Sequence, residues 1–258
     1  DDINLAGKNY RFRIYDISAS KVADTSNSYS TLSYLRVLAP NNGEQIGTAY
    51  TVKWSNSINT ISKVNIYVQT EISDYNWQLV ASGVTSNPSN YLWNINVPAS
   101  QTCRIKIEDA EHNYISDISD AAFTISTIKL VFPNGGKFQK LQIGKSYDIT
   151  WETSFINLVR LEFSTNHGVT WNVLPNANTL PASEKRFSWY IEDIPSRNMK
   201  LRISSAENAN VYDVSDTTFN VCSLNLVQPN SLTALQVGEN YDISWNSVNL
   251  DSVRIQLS

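Results

Sequence analysis

Apolar and polar residues alternate along most of the chain. Val64, Ile66 and Val68 alternate with polar neighbours in KVNIYVQT, and CRIKIED from Cys103 onward repeats the pattern. This period of two predicts strands with one buried and one wet face. No long window keeps the 3–4 spacing of a helix, and turn-forming strings such as PNNG, TSNPSN and PNGG separate the strands. The sequence therefore predicts an all-β protein.

A long internal repeat organises these strands. Its signature reads LAPNNGEQIGTAYTVKW, then VFPNGGKFQKLQIGKSYDITW, then VQPNSLTALQVGENYDISW, at residues 38–54, 131–151 and 227–245. Pro40, Pro133 and Pro229 anchor the three copies, at intervals of 93 and 96 residues. A repeat of this length with no helical pattern indicates a tandem array of small β domains.

The repeat divides the chain into four parts. We expect the C-terminal part of an Ig-like repeat at 1–33, Ig-like repeats at 34–126 and 127–222, and the N-terminal part of a further Ig-like repeat at 223–258. About seven strands per repeat, with an inward tryptophan ending the second, predict an antiparallel seven-stranded β-sandwich. The joints FTISTIKLVFP and FNVCSLNLVQP contain no Gly/Ser-rich or Pro-rich spacer, which favours a rod with limited bending.

These features resemble known families. The strand order and the tryptophan resemble fibronectin type III and immunoglobulin-like domains. PNGGKFQKLQIGKSYDITW followed by VRLEFSTNHGVTW more closely resembles a bacterial surface repeat, related to the fungal Ser/Thr-rich cell-wall family. The usual Glu-x-Trp after PNGG is missing from every copy here. The resemblance implies tandem sandwiches in a secreted or cell-surface bacterial protein.

The string STNHGVTW at 164–171 resembles the Asp-box of sialidases, Ser-x-Asp/Asn-x-Gly-x-x-Trp. A sialidase would carry several such boxes and an arginine cluster, and this chain shows neither. We expect a hairpin in which Asn166 folds over the turn, Gly168 takes a positive φ and Trp171 plugs the sandwich edge. The string therefore predicts a turn and no catalytic site.

Charge and composition exclude several partners. The net charge of −4, with no basic run, gives no reason to expect nucleic acid. No stretch is apolar enough to span a membrane, so no membrane insertion is expected in this segment, and the first residues carry no signal-peptide pattern. Cys103 and Cys222 are expected to be unpaired, and the single Asn-x-Ser string is disqualified by Pro88. An extracellular or cell-surface location fits this composition.

Groups suited to catalysis or metal binding are few. His112 and His167 lie in turns of different repeats with no matched nucleophile. The best carboxylate pair is Asp117 with Asp120, repeated as Asp213 with Asp216. These aspartates either bind Ca²⁺ or, as we favour, accept backbone N–H groups of a turn before the last strand. We predict no catalytic residue, no cofactor, no metal and no enzyme activity.

Binding surfaces are the remaining candidates. The segment 174–187 diverges most between the repeats, and variable loops are where recognition tends to lie. Candidate ligand contacts are Tyr190, Tyr75, Lys185 and Arg186, and Tyr67 and Tyr212 are also expected to face water. The favoured hypothesis is a stalk or filament of a cell-surface adhesin whose partners are neighbouring repeats of the same chain, surface polysaccharide or another surface protein. The alternative is a set of carbohydrate-binding or spacer modules attached to a secreted glycoside hydrolase.

Overall fold

The computed structural model describes residues 9–57, 60–71, 76–136, 139–230 and 234–257. The chain forms two compact units, Asp1–Ser126 and Thr127–Ser258. The regular structure of the described residues is β-strand apart from a single 3-10 turn. The all-β prediction is therefore confirmed.

The first unit begins with a small hairpin and continues into a sandwich. Its strands are β1 (Asn9–Tyr10), β2 (Arg13–Tyr15), β3 (Ala23–Thr25), β4 (Ser30–Thr31), β5 (Leu35–Ala39), β6 (Gln45–Ile46), β7 (Ala49–Asn56), β8 (Lys63–Gln69), β9 (Gln78–Thr85), β10 (Asn90–Asn94), β11 (Ser100–Asp109), β12 (Ser116–Ile118) and β13 (Phe123–Ile125). In the hairpin, β1 pairs with β4 and β2 with β3, both antiparallel.

Strands β5 to β13 form the first sandwich. One sheet has the order β10-β7-β5, and the other has the order β6-β13-β11-β8-β9, with β12 also on β11. The only parallel pair among these described strands is β6 with β13. Side chains from both sheets share one core, including Trp54, Trp93, Ile66, Ile105 and Phe123. This is the antiparallel Ig/FnIII-like sandwich that the pattern predicts.

The second unit repeats this plan and extends it. Its elements are β14 (Thr127–Phe132), β15 (Lys140–Gln142), β16 (Ser146–Ser154), β17 (Leu158–Ser164), β18 (Asn172–Val173), β19 (Leu180–Pro181), a 3-10 turn (Ala182–Glu184), β20 (Arg186–Tyr190), β21 (Ser196–Ser205), β22 (Tyr212–Val214), β23 (Phe219–Gln228) and β24 (Ser244–Val248).

Strands β14 to β22 and the start of β23 form the second sandwich. Its sheets have the orders β14-β16-β20 and β15-β23-β21-β17-β18, with β19 on β17 and β22 on β21. Trp151 and Trp189 are buried in its core, as Trp54 and Trp93 are in the first. Strand β23 then continues without a break and pairs with β24. One ten-residue strand thus belongs both to this sandwich and to the next hairpin.

The alternation in the sequence places the core correctly. Val64, Ile66 and Val68 on β8 are fully buried, and so are Ile105 and Ile107 on the neighbouring strand β11 of the same sheet. Their polar neighbours point outward, since successive side chains of a strand lie on opposite faces. Burying a Val or Ile side chain stabilises a fold by about 1.5–3 kcal/mol, so these two strands account for much of the first core.

Two further sequence predictions concern the membrane and the cysteines. Among the described residues, no helix is long and apolar enough to cross a membrane. Cys103 and Cys222 are both buried and free. Burial raises the pKa of each thiol above its ordinary value, which keeps both in the unreactive thiol form at neutral pH.

Candidate functional site

The STNHGVTW string is a hairpin, as predicted. Ser164 Oγ accepts the Gly168 N–H at 2.8 Å, and Asn166 Oδ1 accepts the Thr170 N–H at 2.9 Å. Gly168 has a φ of +87°, and a Cβ there would lie 3.3 Å from the Trp171 ring. Trp171 is half-buried, and the Arg202 guanidinium stands 4.7 Å from its ring centre. The side chains of Ser164, Asn166 and Thr170 are thus engaged in the turn itself.

The two histidines take local structural roles. His112 Nδ1 lies 3.1 Å from Asp109 Oδ2, three residues earlier in the turn after β11. His167 has a φ of +63°, and its backbone N–H donates to the Asn198 carbonyl at 3.0 Å. Within the residues that the structure describes, no three His, Cys, Asp or Glu side chains lie together in a metal-binding arrangement.

The repeated Asp-x-Ser-Asp motif fastens the last strand of each sandwich to the first. Asp117 Oδ2 accepts the backbone N–H of Val37 at 2.7 Å. Asp213 Oδ2 accepts the N–H of Leu130 at 2.7 Å in the second sandwich. Each acceptor therefore reaches across the fold to a strand about eighty residues earlier in the chain. We call this arrangement the clasp.

The second aspartate of the motif completes the clasp at the Pro-Asn turn, which follows the first strand and is Pro40-Asn41 in the first sandwich and Pro133-Asn134 in the second. Asp120 Oδ2 accepts the side-chain N–H of Asn41 at 2.9 Å, and Asn41 Oδ1 accepts the Asp120 N–H in return. Asn134 and Asp216 make the same two bonds, at 2.8 and 2.9 Å. Because donors and acceptors match in both directions, this pairing fixes the turn against the last strand.

The serine of the motif ties the clasp to the core. Ser119 is fully buried, and its Oγ accepts the Ile105 N–H at 3.2 Å. Ser215 is equally buried and accepts the Leu201 N–H at 3.2 Å. The motif interrupts the last strand, so β12 is separate from β13 in the first sandwich and β22 is separate from β23 in the second. The serine hydroxyl replaces the ladder acceptor that the interruption removes.

The clasp corrects one sequence-based prediction, that the carboxylates accept N–H groups of a turn before the last strand. Their partners are instead the first strand and the Pro-Asn turn, although Asp213 also accepts the N–H of its neighbour Val214. The reason is the interruption in the last strand, which turns the aspartates toward the first strand. The recurrence of Pro-Asn with Asp-x-Ser-Asp in each repeat was the sequence signal for this pairing.

A groove opens at one edge of the second sandwich, beside strand β20. Its volume is about 410 Å³, and Phe163, Phe187 and Tyr190 supply aromatic walls. Asn172, Asn176, Ser188 and Glu192 supply polar groups around the same groove. In the second sandwich β18 has only two residues, whereas β9 at the matching edge of the first has eight. The short strand leaves this edge uncovered.

The structure brings only part of the candidate ligand set to this groove. Tyr190 is 58% exposed and lines it. Lys185 and Arg186 lie at the other end of β20 and are exposed, outside the lining. Arg186 stands 3.9 Å from Asp148, and Lys185 has a φ of +56° at the end of the 3-10 turn. Tyr75 lies outside the described residues.

The segment 174–187 is anchored more firmly than a free loop. Leu174, Ala177 and Ala182 are buried in the core of the second sandwich. The Ala182 carbonyl accepts the indole N–H of the buried Trp151 at 3.0 Å. This anchoring is not among the sequence-based predictions, although the apolar residues at intervals in LPNANTLPA are a signal for it. Any contact with a ligand from this segment therefore comes from its exposed residues.

A charged and aromatic cluster lies on the outer face of the larger sheet of the first sandwich. In the first sandwich Tyr67 donates to Glu108 at 2.7 Å, and Lys106 binds Glu108 at 2.9 Å while standing 4.5 Å from the Tyr67 ring. Burial alone would raise the pKa of Glu108, but the hydrogen bonds from Tyr67, Lys106 and Asn65 and the charge of Lys106 together outweigh it and hold the pKa below its ordinary value. The hydrogen bond to Glu108 also raises the pKa of Tyr67. The charges of this cluster are paired within the sandwich.

Comparison with known proteins finds similar solved structures only. No protein-family model and no curated protein matches the chain. Similar solved structures include the fibronectin(III)-like modules of Clostridium thermocellum CbhA, with 14% identity over 72% of this chain and 92% of that chain at a TM-score of 0.24. The N-terminal four Ig domains of Dscam1 isoform 6.9 match with 10% identity over 86% of this chain and 56% of that chain at 0.25. Because these TM-scores are low, the fold is assigned from the strand order and pairing in the sheets of this chain.

Proposed function

We propose that the chain is a non-enzymatic, load-bearing section of a large extracellular repeat protein, the stalk or filament of a cell-surface adhesin. The observation that carries this proposal is the clasp. It is built twice from the same residue types, with the same 2.7 Å bond to the first strand. A feature that is repeated in successive domains indicates a function that all of these domains have in common. Here the repeated feature is the connection between the first and last strands of each sandwich.

The clasp lies where a pulling force would act. In a tandem array, force enters each sandwich through its first strand and leaves through its last. The clasp joins those two strands, and the parallel ladders of β6 with β13 and β15 with β23 join the short strand that follows the first strand to the last strand. When two parallel strands are pulled from opposite ends, the bonds between them are sheared together and resist as a group. This topology supports a mechanical role.

The connection between repeats supports the same role. In the second unit, β23 runs from the sandwich into the next hairpin as one strand of ten residues. A pulling force on that strand is transmitted directly to the next hairpin, because no flexible linker lies between the two that could extend first. Neighbouring repeats of the same chain are thus the first partners that we propose, with boundaries at 34, 127 and 223.

The groups that suit catalysis are engaged elsewhere, which supports a non-enzymatic assignment. His112 pairs with Asp109, the hydroxyl and amide of STNHGVTW close a turn, and the repeated aspartates hold the clasp. The resemblance to bacterial surface repeats supports an extracellular location and a bacterial source.

The surface location can be tested on cells that express the chain from their own genome. Antibodies raised against the protein should label intact cells, and brief protease treatment should remove the label and reduce attachment to surfaces. A periplasmic or cytosolic marker, intact after the same treatment, controls for leakage. Labelling that needs permeabilised cells would contradict the proposal.

One observation favours the alternative of a carbohydrate-binding module. The groove beside β20 combines aromatic walls with amide, hydroxyl and carboxylate groups, and its volume is within the range of small-ligand sites. Aromatic rings stack on the apolar faces of sugars, while amides and carboxylates bind their hydroxyl groups. Exposed Tyr190 is the residue that this alternative depends on.

Affinity electrophoresis against a panel of soluble polysaccharides tests the alternative. Tyr190→Ala should raise the Kd about fivefold, given an aromatic contribution of about 1 kcal/mol. The double variant of Lys185→Ala and Arg186→Ala tests the other end of the strand. Tyr212→Ala is the matched control, because Tyr212 is also exposed and does not line the groove. No affinity, or affinity unchanged in all variants, would remove the alternative.

A further inference from the structure

The segments that lead into β10 and β20 occupy the same place in the two sandwiches. The Trp54 backbone N–H donates to the Ser89 carbonyl, and the Trp151 backbone N–H donates to the Lys185 carbonyl, both at 3.2 Å. Each of these carbonyls belongs to the residue directly before the strand, β10 or β20. Ser89 and Lys185 are therefore equivalent positions.

The residues three places earlier are equivalent as well. The Ser86 N–H donates to the Ser62 carbonyl at 3.0 Å, and the Ala182 N–H donates to the Asn157 carbonyl at 2.8 Å. Ser62 directly precedes β8, and Asn157 directly precedes β17. Ser86 and Ala182 therefore hold the same position beside the core tryptophan.

The indole N–H of this tryptophan is paired in the second sandwich and unpaired in the first. Trp151 Nε1–H donates to the Ala182 carbonyl at 3.0 Å, whereas the Ser86 carbonyl accepts the Ser89 hydroxyl at 2.7 Å. Trp54 is 2% exposed, and its indole nitrogen has no hydrogen-bond partner among the described residues. A buried donor without an acceptor is unfavourable. An acceptor that binds here therefore gains a hydrogen bond without breaking one.

A pocket of about 780 Å³ opens at Trp54. This volume lies within the range of small-molecule sites, about 300–1,000 Å³. We call it the Trp54 pocket. Most of its lining residues carry hydroxyl or amide groups, among them Asn56, Thr60, Ser62, Thr85, Asn87 and Ser89.

The lining favours a neutral ligand that is rich in hydroxyl groups. Glu111 is the charged residue of the described lining, and its carboxylate repels anions. A cation has no acceptor for the Trp54 indole N–H, and an apolar ligand has none either. A sugar hydroxyl can accept this N–H and at the same time donate to the side chain of Asn87 or Glu111.

A peptide strand fits this pocket less well. Strand β7 supplies Trp54, Ser55 and Asn56 to the lining. It is paired on both sides, with β5 and with β10. Strand β7 therefore offers no free backbone edge to which a peptide could add as a further strand.

We propose that the Trp54 pocket binds one neutral sugar unit, with a sugar oxygen that accepts the Trp54 indole N–H. This recognition goes beyond the load-bearing role of the chain. The Trp54 pocket belongs to the first sandwich, so it is a different site from the groove beside β20. In the second sandwich the same indole N–H is already bound to Ala182.

NMR of the tryptophan indole groups in the full chain tests the proposal. The Trp54 signal is identified by its loss in Trp54→Phe. The probes are neutral hexoses, pentoses, deoxyhexoses and N-acetylhexosamines, their methyl glycosides, and N-acetylalanine amide as a peptide probe. We expect at least one sugar to shift the Trp54 signal saturably and to leave the Trp151 signal in place. A shift with the methyl glycoside too identifies a sugar within a glycan, and a shift with the free sugar alone identifies a free sugar.

Variants measured by titration calorimetry test the role of the indole N–H. Trp54→Phe keeps an aromatic ring and should raise the Kd about fivefold, the equivalent of one neutral hydrogen bond. Glu111→Ala, at an exposed position, should weaken binding by at least about as much. Trp151→Phe is the matched control and should leave the Kd unchanged, and Tyr190→Ala should also leave it unchanged.

Four results would each overturn the proposal. The first is a Trp54 signal that no sugar shifts, and the second is a shift with the peptide probe alone. The third is a Kd that neither Trp54→Phe nor Glu111→Ala changes. The fourth is binding that is lost in Tyr190→Ala and kept in Trp54→Phe, which would assign the sugar to the groove beside β20.

Discussion

The clasp makes a specific prediction about the second sandwich. Replacing Asp213 with alanine removes the acceptor of the Leu130 N–H. Leu130 itself is fully buried, so water cannot replace the lost acceptor without opening the strand. The substitution should therefore loosen the first strand from the last while leaving the rest of the core packed.

The size of this effect follows from the bond. A hydrogen bond to a charged group contributes about 1.5–3 kcal/mol, and leaving a buried donor unsatisfied costs about 1–3 kcal/mol. We expect Asp213→Ala to lower the free energy of unfolding of the second sandwich by about 2 kcal/mol. Asp213→Asn keeps an acceptor oxygen without its charge, and about half of that loss is expected.

Hydrogen exchange at single amides, followed by NMR, measures this directly. In Asp213→Ala the Leu130 amide should exchange about 30-fold faster, since 1.4 kcal/mol corresponds to a factor of ten. The Val37 amide, which Asp117 holds in the first sandwich, is an internal control and should keep its rate. Asp117→Ala should give the reverse pattern.

Unchanged protection of the Leu130 amide in Asp213→Ala would show that Asp213 does not hold the first strand. Loss of protection at both amides together would also contradict this role, because the substitution would then act through general destabilisation. A urea titration followed by tryptophan fluorescence shows in parallel whether the variant remains folded under the exchange conditions.

Three further predictions concern the turns, the charged cluster and the thiols. Gly135→Ala should destabilise by several kcal/mol, because a Cβ would overlap the Thr217 carbonyl, whereas Gly43→Ala meets its nearest atom at 3.8 Å and should cost about 1 kcal/mol; thermal unfolding compares the two. The pKa of Glu108 is lowered in the folded protein. The contribution of the Glu108 carboxylate to stability is therefore present above its unfolded pKa of about 4.3 and is lost as the pH falls through the folded pKa. The free energies of unfolding of wild type and Glu108→Gln, measured by urea titration, should converge in acid and separate at neutral pH. Burial of Cys103 and Cys222 with their raised pKa predicts alkylation by iodoacetamide only after denaturation, and rapid labelling of the folded protein would contradict it.

The local features of the fold could be predicted from the sequence. Alternation identified the buried residues of β8 and β11, because the side-chain period of a strand is fixed by its backbone. The turn at 164–171 was predictable because Asn166 and Gly168 have conformational preferences that act within a few residues. These features depend on neighbours in sequence, so the sequence shows them directly.

The features that were missed depend on residues far apart in the chain. Asp117 meets Val37 across about eighty residues, and local sequence does not show which distant amide a carboxylate will reach. The anchoring of Ala182 against Trp151 is a contact of the same kind. The groove beside β20 exists because β18 is short, and strand length is set by the pairing available at a sheet edge. For these features the fold had to be known first.

Single-molecule force spectroscopy on the full chain tests the load-bearing role most directly. With the ends attached to surface and probe, the account predicts two sharp unfolding steps of about 300 Å each, because about 93–96 residues extend at about 3.6 Å per residue less the folded length. Asp213→Ala should lower the force of one step and leave the other unchanged. Smooth extension without steps, or two steps whose forces do not respond to Asp213→Ala, would contradict a load-bearing clasp.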